Sequence, residues 1–159
     1  MTAQAQTVQR VSLHGIQMGY ADDRGLLSNG YRVTSPAVVA DVTISAEAAT
    51  VANQRDITIV VRDSTGEPVT APTTVNIWVM KDAAGREITA TGGSTGIAEA
   101  GTPVGKIIET TVAKKHFVCR TTAAGLLNLI YTDAGTDVAY LGVQLPNGNM
   151  IMCGALTNA

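Results

Sequence analysis

The chain has 159 residues, enough for one domain with a core of its own, and a formal net charge of −2 at pH 7. Only 15% of the residues are charged, against roughly 25% in an average soluble domain, and 4% are aromatic. Without a basic excess, the composition excludes the electrostatic surface on which nucleic-acid binding depends. No apolar run approaches the roughly 20 residues that cross a bilayer. We therefore expect neither nucleic acid nor a membrane as a partner.

The first 36 residues differ in pattern from the rest of the chain. They mix apolar side chains with Gly15, Gly19, Gly25 and Gly30, so they are too apolar for a disordered tail and too interrupted for a helix. They also lack the basic and apolar regions of a signal peptide, which predicts a protein that stays in the cytoplasm where it is made. We predict an extended arm over residues 1–36 that becomes ordered on another surface. An edge hairpin of the following domain is the alternative.

From residue 37 onward, short β-branched runs alternate with turn residues, as strands do in all-β proteins. The clearest runs are Arg55–Asp63 and Thr73–Lys81, where every second residue is apolar and β-branched. The other predicted strands are Ala37–Ser45, Lys106–Ala113, His116–Thr121, Leu126–Thr132, Asp137–Leu145 and Asn149–Ala155. Because no crossover helices separate these strands, the pattern predicts an all-β fold, an antiparallel β-sandwich over residues 37–159.

The turns between these strands share a chemistry. In Asp63–Pro68 the aspartate can accept a hydrogen bond from the backbone two residues later, and Gly66 tolerates a positive φ. Asp82–Gly85 repeats this pattern. The Asn147-Gly148 pair predicts a type I′ hairpin. Such turns join neighbouring antiparallel strands, which again favours a sandwich.

Residues that usually carry catalysis or bind metal are scattered along the chain. His14 and His116 share no metal-ligand spacing, so we predict no zinc-type site, and we expect His116 to be a solvated residue at a strand end. Gly101–Lys106 lacks the spacing, the Ser or Thr and the following helix of a phosphate-binding loop. We therefore predict no catalytic residue, no metal site and no cofactor.

The cysteines and the single tryptophan have structural interpretations. Cys119 and Cys153 lie in separate apolar stretches without C-x-x-C spacing, which is typical of free buried thiols in a chain without an export signal. One disulfide between them is the alternative. Trp78 precedes both cysteines, whereas the buried tryptophan of antibody domains lies between the two. We expect Trp78 to close the core of the sandwich.

Two segments carry a resemblance to a known family. Ile57–Val69, read together with Thr74–Val79, resembles the first half of bacterial immunoglobulin-like repeats of the invasin and intimin type, which run from a strand through an Asp-x-x-Gly-x-Pro-Val turn into the next strand. Thr121–Thr132 resembles their later Thr-Asp-x-x-Gly turn and strand, with Ala123 in place of the usual acidic or amide residue. The similarity covers roughly Val38 to Ala155 and implies an immunoglobulin-like sandwich.

The resemblance also implies a class of function. Single modules of this kind are common in the virions of tailed bacteriophages, so it implies a non-enzymatic virion structural protein assembled in the host cytoplasm. The form we expect is a head decoration, cement or minor capsid protein, with the major capsid protein as its partner and the chain itself as a homo-oligomer. A neck, tail or fibre component is the alternative. The single tryptophan and the missing signal peptide disfavour a surface adhesin or glycan-binding module.

Candidate partner contacts lie in the two segments outside the regular strand pattern. The arm offers six apolar residues: Val11, Leu13, Ile16, Met18, Leu26 and Leu27. The long Gly/Thr-rich loop Thr91–Gly105 is expected to be mobile or to make contacts. It offers Thr95, Ile97 and Val104. For every one of these residues, packing within the chain is the alternative.

Overall fold

The structure, a computed structural model, describes residues 9–13, 16–22, 25–28, 31–32, 39–46, 51–102, 104–135 and 137–158; before residue 33 the description extends to the backbone. The chain divides into two compact units, Met1–Pro36 and Ala37–Ala159. All described residues lie in strands, turns or irregular segments, and none is helical. The described residues accordingly include no helix long and apolar enough to span a membrane.

The first unit contains a four-stranded antiparallel sheet. Its strands are β1 (Gln9–Leu13), β2 (Ile16–Asp22), β3 (Gly25–Ser28) and β4 (Tyr31–Arg32), and they pair in chain order. The register shifts between Val11 and Ser12, so Met18 of β2 has no partner in β1. The glycine-interrupted apolar pattern therefore gives a meander of short strands, where the sequence predicted one extended arm.

The second unit is an antiparallel β-sandwich, as the sequence predicted. Its nine strands are β5 (Val39–Ile44), β6 (Gln54–Arg62), β7 (Thr74–Met80), β8 (Gly96–Glu99), β9 (Lys106–Val112), β10 (His116–Arg120), β11 (Leu126–Thr132), β12 (Tyr140–Gln144) and β13 (Met150–Ala155). One sheet has the order β5-β6-β11-β8 and the other has the order β13-β12-β7-β10-β9. All eight strands predicted in this unit are present, and β8 is the one that the sequence pattern missed.

The strand order of each sheet can be compared with that of an immunoglobulin sandwich. Immunoglobulin sheets have the orders A-B-E-D and G-F-C, with C′ and C″ added in variable domains. Here β5, β6 and β11 occupy the A, B and E positions, and β13, β12 and β7 occupy G, F and C. Strand β8 occupies the D position but precedes β9 and β10 in the chain. After β7 the chain therefore crosses to the four-stranded sheet for β8, returns to the five-stranded sheet for β9 and β10, and crosses again for β11.

Alternating residues of β6 and β7 form the centre of the core. Their inward side chains are fully buried, with 0% exposed: Ile57, Ile59, Val61, Val75, Ile77 and Val79. The neighbouring strands β11 and β12 add four more buried residues: Leu127, Leu129, Leu141 and Val143. Burying one such side chain stabilises the fold by about 1.5–3 kcal/mol. The two-residue period of the sequence therefore fixes which face of each sheet is inside.

Three tight turns at one end of the sandwich share a hydrogen-bond pattern. They are the segments 63–67, 122–126 and 145–149. In each, the N–H of a glycine donates to the carbonyl oxygen three residues earlier, over 2.9 to 3.1 Å. The glycines, Gly66, Gly125 and Gly148, have φ of 84°, 73° and 86°. This is a type I turn followed by a left-handed glycine, which puts these loops in one conformational class.

The type I′ turn predicted for Asn147-Gly148 is therefore wrong. A type I′ turn needs positive φ at both central residues. The central residues of this turn are Pro146 and Asn147, because the N–H of Gly148 donates to the carbonyl oxygen of Leu145. The ring of Pro146 fixes its own φ at a negative value, and among these residues only Gly148 is left-handed. The predicted aspartate turns are confirmed: the N–H of Thr65 donates to Asp63 Oδ1 over 2.8 Å, and the N–H of Ala84 donates to Asp82 Oδ1 over 2.8 Å.

Two glycines of these turns give a matched stability test. A methyl group on Gly125 would lie 2.6 Å from the carbonyl oxygen of Val61, whereas one on Gly66 would meet nothing within 4 Å. Gly66→Ala should therefore cost only the left-handed penalty of about 1–2 kcal/mol. Gly125→Ala should cost about 1–3 kcal/mol more, because the added atom overpacks the site. Urea unfolding followed by Trp78 fluorescence measures both losses, and equal losses would contradict the close approach at Gly125.

Candidate functional site

The six arm residues predicted to contact a partner all belong to strands of the first unit. Two lie on each of β1, β2 and β3: Val11 and Leu13, Ile16 and Met18, and Leu26 and Leu27. Leu13 pairs with Ile16 across the β1–β2 hairpin. The side chains of these residues lie outside the described part of the chain. Their role as contacts therefore stays a prediction.

The three loop residues fall into different environments. Ile97 lies on β8, is 6% exposed and packs in the core of the sandwich. Thr95 is exposed, and its N–H donates to the carbonyl oxygen of Thr132 over 3.2 Å. Val104 is half-buried, and its carbonyl oxygen accepts from the N–H of Asn128 over 2.8 Å. Packing within the chain thus accounts for Ile97, and of the three only Thr95 presents an exposed side chain.

Lys114, in the turn between β9 and β10, ties down the start of the same loop. Its Nζ donates to the carbonyl oxygens of Gly93 and Ser94. A methyl group on Gly92 would lie 2.4 Å from the carbonyl oxygen of Lys114, and one on Gly96 would lie 3.0 Å from its Cβ. The glycines of this segment therefore allow a close approach of two loops. The segment before β8 is tied to its neighbours by hydrogen bonds and packing.

Trp78 and His116 form a stack on the outer face of the five-stranded sheet. Trp78 of β7 and His116 of β10 are direct cross-strand partners, and their ring centroids are 3.7 Å apart with planes inclined by 18°. Ile77 and Val79, the neighbours of Trp78, face the core. The prediction that Trp78 closes the core is therefore wrong, because the alternation of β7 places it on the opposite face.

His116 is also not the solvated residue that the sequence predicted. It is 9% exposed, because the indole ring of Trp78 covers it. Burial lowers its pKa below the ordinary value, and the carboxylate of Glu109 on the adjacent strand opposes this shift. His116 Nε2 and Trp78 Nε1 are both buried without a hydrogen-bond partner. The stack therefore contains two buried polar atoms without a hydrogen bond, which is costly in free energy.

A second buried polar cluster lies where β11 ends. Asp133 is 2% exposed, and its Oδ1 accepts from the N–H groups of Ser94 and Gly135 over 2.9 and 3.0 Å. Its Oδ2 and the hydroxyl of Tyr131 have no partner. Burial raises the pKa of Tyr131, and Asp133 and Asp137 raise it further, so the phenol is neutral. One carboxylate thus organises two loops at this end of the sandwich.

The cysteines are free, as predicted, and they are unsuited to nucleophilic chemistry. Cys119 is buried and Cys153 is half-buried. Burial raises the pKa of Cys119 to about 12 and that of Cys153 to about 11, so both are protonated thiols at neutral pH. Within the described residues, no group of three or more His, Cys, Asp or Glu side chains could hold a metal ion.

Comparison with known proteins assigns no family to this chain. No protein-family model matches it, and no curated protein or solved structure is significantly similar to it. The resemblance of Ile57–Val69 to immunoglobulin-like repeats of the invasin and intimin type stays a prediction from the sequence. The outer face around Trp78 and His116 is the candidate functional surface that the described side chains define best.

Acidification is expected to destabilise the sandwich through His116. Its pKa in the folded state lies below the ordinary value of about 6.5, so as the pH falls the unfolded chain takes up the proton first. The stabilisation from the neutral ring is complete above about pH 6.5, the pKa in the unfolded chain, and is lost as the pH falls through the lower folded-state pKa. Urea unfolding between neutral pH and about pH 5 measures this decline.

The matched variants for this test are His116→Gln and His14→Gln. His116→Gln should unfold more easily at neutral pH but lose less stability on acidification, because its side chain does not titrate. His14→Gln should decline with pH as the unsubstituted protein does. If all three proteins decline equally, the stacked histidine is not the group that links stability to pH.

Proposed function

We propose that this chain is a non-enzymatic structural protein of a tailed-bacteriophage virion that decorates or cements the head. In this proposal the first unit, residues 1–36, and exposed loops of the sandwich bind the major capsid protein. The sandwich is then the body that stands on the shell. The virion class comes from the sequence resemblance, and the features of the chain described above support it.

The observation that carries the proposal is the division of the chain into two units of unequal size. The sandwich draws core residues from its own strands, beginning with Ala40 of β5 and ending with Leu156 after β13. The first unit spans only Met1–Pro36 and contains no cysteine. A domain below about 40 residues usually needs disulfides, a metal or a partner to be stable. A unit of this size is therefore well suited to fold against another protein.

The surface of the sandwich supports contacts of the same kind. Large apolar side chains that are at least 38% exposed occur on several elements of the sandwich: Val39, Val51, Ile88, Ile108, Val112, Val138 and Met150. Exposed apolar residues on several elements of a surface with few charges suit many weak contacts. On a lattice of identical subunits, such weak contacts add up through multivalency. A decoration protein needs this property.

The copy number on the particle separates this proposal from the neck, tail or fibre alternative. A head decoration repeats with the icosahedral lattice, whereas a neck, tail or fibre component occurs in a ring or trimer of defined symmetry. The experiment is to mix the 159-residue chain with heads and tails of a tailed phage whose genome encodes it and from which its gene has been deleted, sediment the particles and image them by cryo-electron microscopy. Density over the head lattice supports decoration. Density in a single ring or trimer supports the alternative, and binding to no particle contradicts both.

The role of the first unit has its own prediction. Leu26→Ser with Leu27→Ser should weaken head binding at least about tenfold, since each removes apolar surface worth more than about 1 kcal/mol when buried. Thr110→Ser with Thr111→Ser, on exposed β9 and outside every proposed contact, is the control and should leave binding unchanged. Circular dichroism checks that both proteins keep their strands. Equal binding by both variants would show that residues 1–36 do not form the contact.

A further inference from the structure

Strand β12 has a glycine, Gly142, in the middle of the outer face of the five-stranded sheet. It pairs with Trp78 of β7 on one side and with Met152 of β13 on the other. Met150 lies two residues from Met152, and Met80 lies two residues from Trp78, so both belong to the same face. The missing side chain of Gly142 leaves a gap that its neighbours must fill.

Three methionines fill this gap. A methyl group placed on Gly142 would lie 3.1 Å from Met150 Sδ, 3.4 Å from Met152 Sδ and 3.5 Å from Met80 Cγ. Three of the five methionines of the chain therefore converge on one position. They come from two strands, β7 and β13, that lie on either side of β12.

The methionine cluster (Met80, Met150 and Met152) is closed on one side and open on the other. A methyl group on Gly85 would lie 2.7 Å from Met152 Sδ, so the Asp82–Gly85 turn covers this sulfur. Met80 is 5% exposed, whereas Met150 is 41% exposed. The cluster is therefore open to solvent at Met150, which lies outside the buried core.

Thioethers select a particular class of metal ion. They are neutral, soft ligands that favour Cu(I) over hard cations such as Ca²⁺ or Mg²⁺. The methionine side chain is unbranched and has three rotatable bonds, so its sulfur can move toward an ion while the backbone stays in place. The indole of Trp78, which borders Gly142, is an aromatic group that attracts cations when they lie over its face.

We propose that the methionine cluster is a thioether site for a soft monovalent cation, Cu(I) or its analogue Ag(I). The sequence pattern predicts no metal site because thioethers on strands far apart in the chain form no spacing like that of His, Cys or carboxylate ligands. This inference does not depend on the virion proposal. It assigns a ligand class to a surface on which methionines would otherwise only fill space.

The test uses the full-length chain with ¹³C-labelled methionine methyl groups, titrated with Ag⁺ and followed by NMR. The methyl signals of Met80, Met150 and Met152 should shift together and saturate, while those of Met1 and Met18 stay in place. Fluorescence of Trp78, the only tryptophan, should change over the same range of Ag⁺. The two free thiols bind silver as well, and Cys153 adjoins Met152 in β13. A shift of the Met152 methyl signal alone would therefore indicate thiol binding and contradict the proposal.

The matched variant is Met150→Leu with Met152→Leu, which keeps volume and hydrophobicity. It should lose the Ag⁺ response of Met80, whereas Met18→Leu should retain the response of all three cluster methyl groups. If the double variant fails to fold, Met150→Leu alone serves, because this side chain is the most exposed of the three. Silver bound without any methyl shift, or equal shifts of all five methyl groups, would overturn the proposal.

Discussion

The packing of β6 against β7 is the constraint on which the rest of the sandwich depends. Each strand presents three consecutive inward positions with Ile or Val, all with 0% exposed, and each belongs to a different sheet. A slip of one residue in β7 would turn Asn76 and Trp78 into the core and expose Ile77. The burial of these apolar side chains therefore fixes the register of both sheets. It also places Trp78 on the outer face, where it stacks on His116 and pairs with Gly142, the residue that the methionines surround.

Strands were predictable where this alternation is visible, and turns where one residue dominates the backbone. The predicted bounds of Leu126–Thr132 agree with β11 residue for residue, because its inward positions alternate without interruption. Strand β8 was missed because Ile97 is its only large apolar residue, and pairing with β11 makes it a strand. The Asn147-Gly148 pair predicts the wrong turn class because Pro146, whose φ is fixed at a negative value, is the first central residue of the turn. Local patterns thus predicted the fold but not the elements that tertiary pairing creates.

The candidate site was much less predictable, because its members come together only across strands. His116 has charged neighbours in the sequence, which suggested solvent, yet its cross-strand partner Trp78 buries it. Met80 and Met152 are on β7 and β13, with β12 between them. Their side chains approach each other over Gly142 of β12. The two-residue period of β7 indicates that Trp78 lies on the face opposite to that of Val75, Ile77 and Val79. The stacking partner of Trp78 is not visible in this period, because pairing β10 with β7 requires the topology.

The two faces of the five-stranded sheet have different physical properties, and this difference bears on function. The inner face consists of β-branched and other aliphatic side chains with few rotamers, so it specifies one packing. The outer face includes a stacked Trp–His pair and unbranched methionines, and methionine side chains can rearrange around a bound group at little cost. The virion proposal assigns the partner contact to the first unit, whereas the outer face belongs to the second unit, the sandwich. The two proposals therefore concern different parts of the chain. If residues 1–36 bind the capsid and the shell also covers the outer face, Met150 becomes inaccessible. If the shell leaves that face free, Met150 stays accessible. Comparing the Ag⁺ response of free and particle-bound protein would thus also show which side of the sandwich faces the shell.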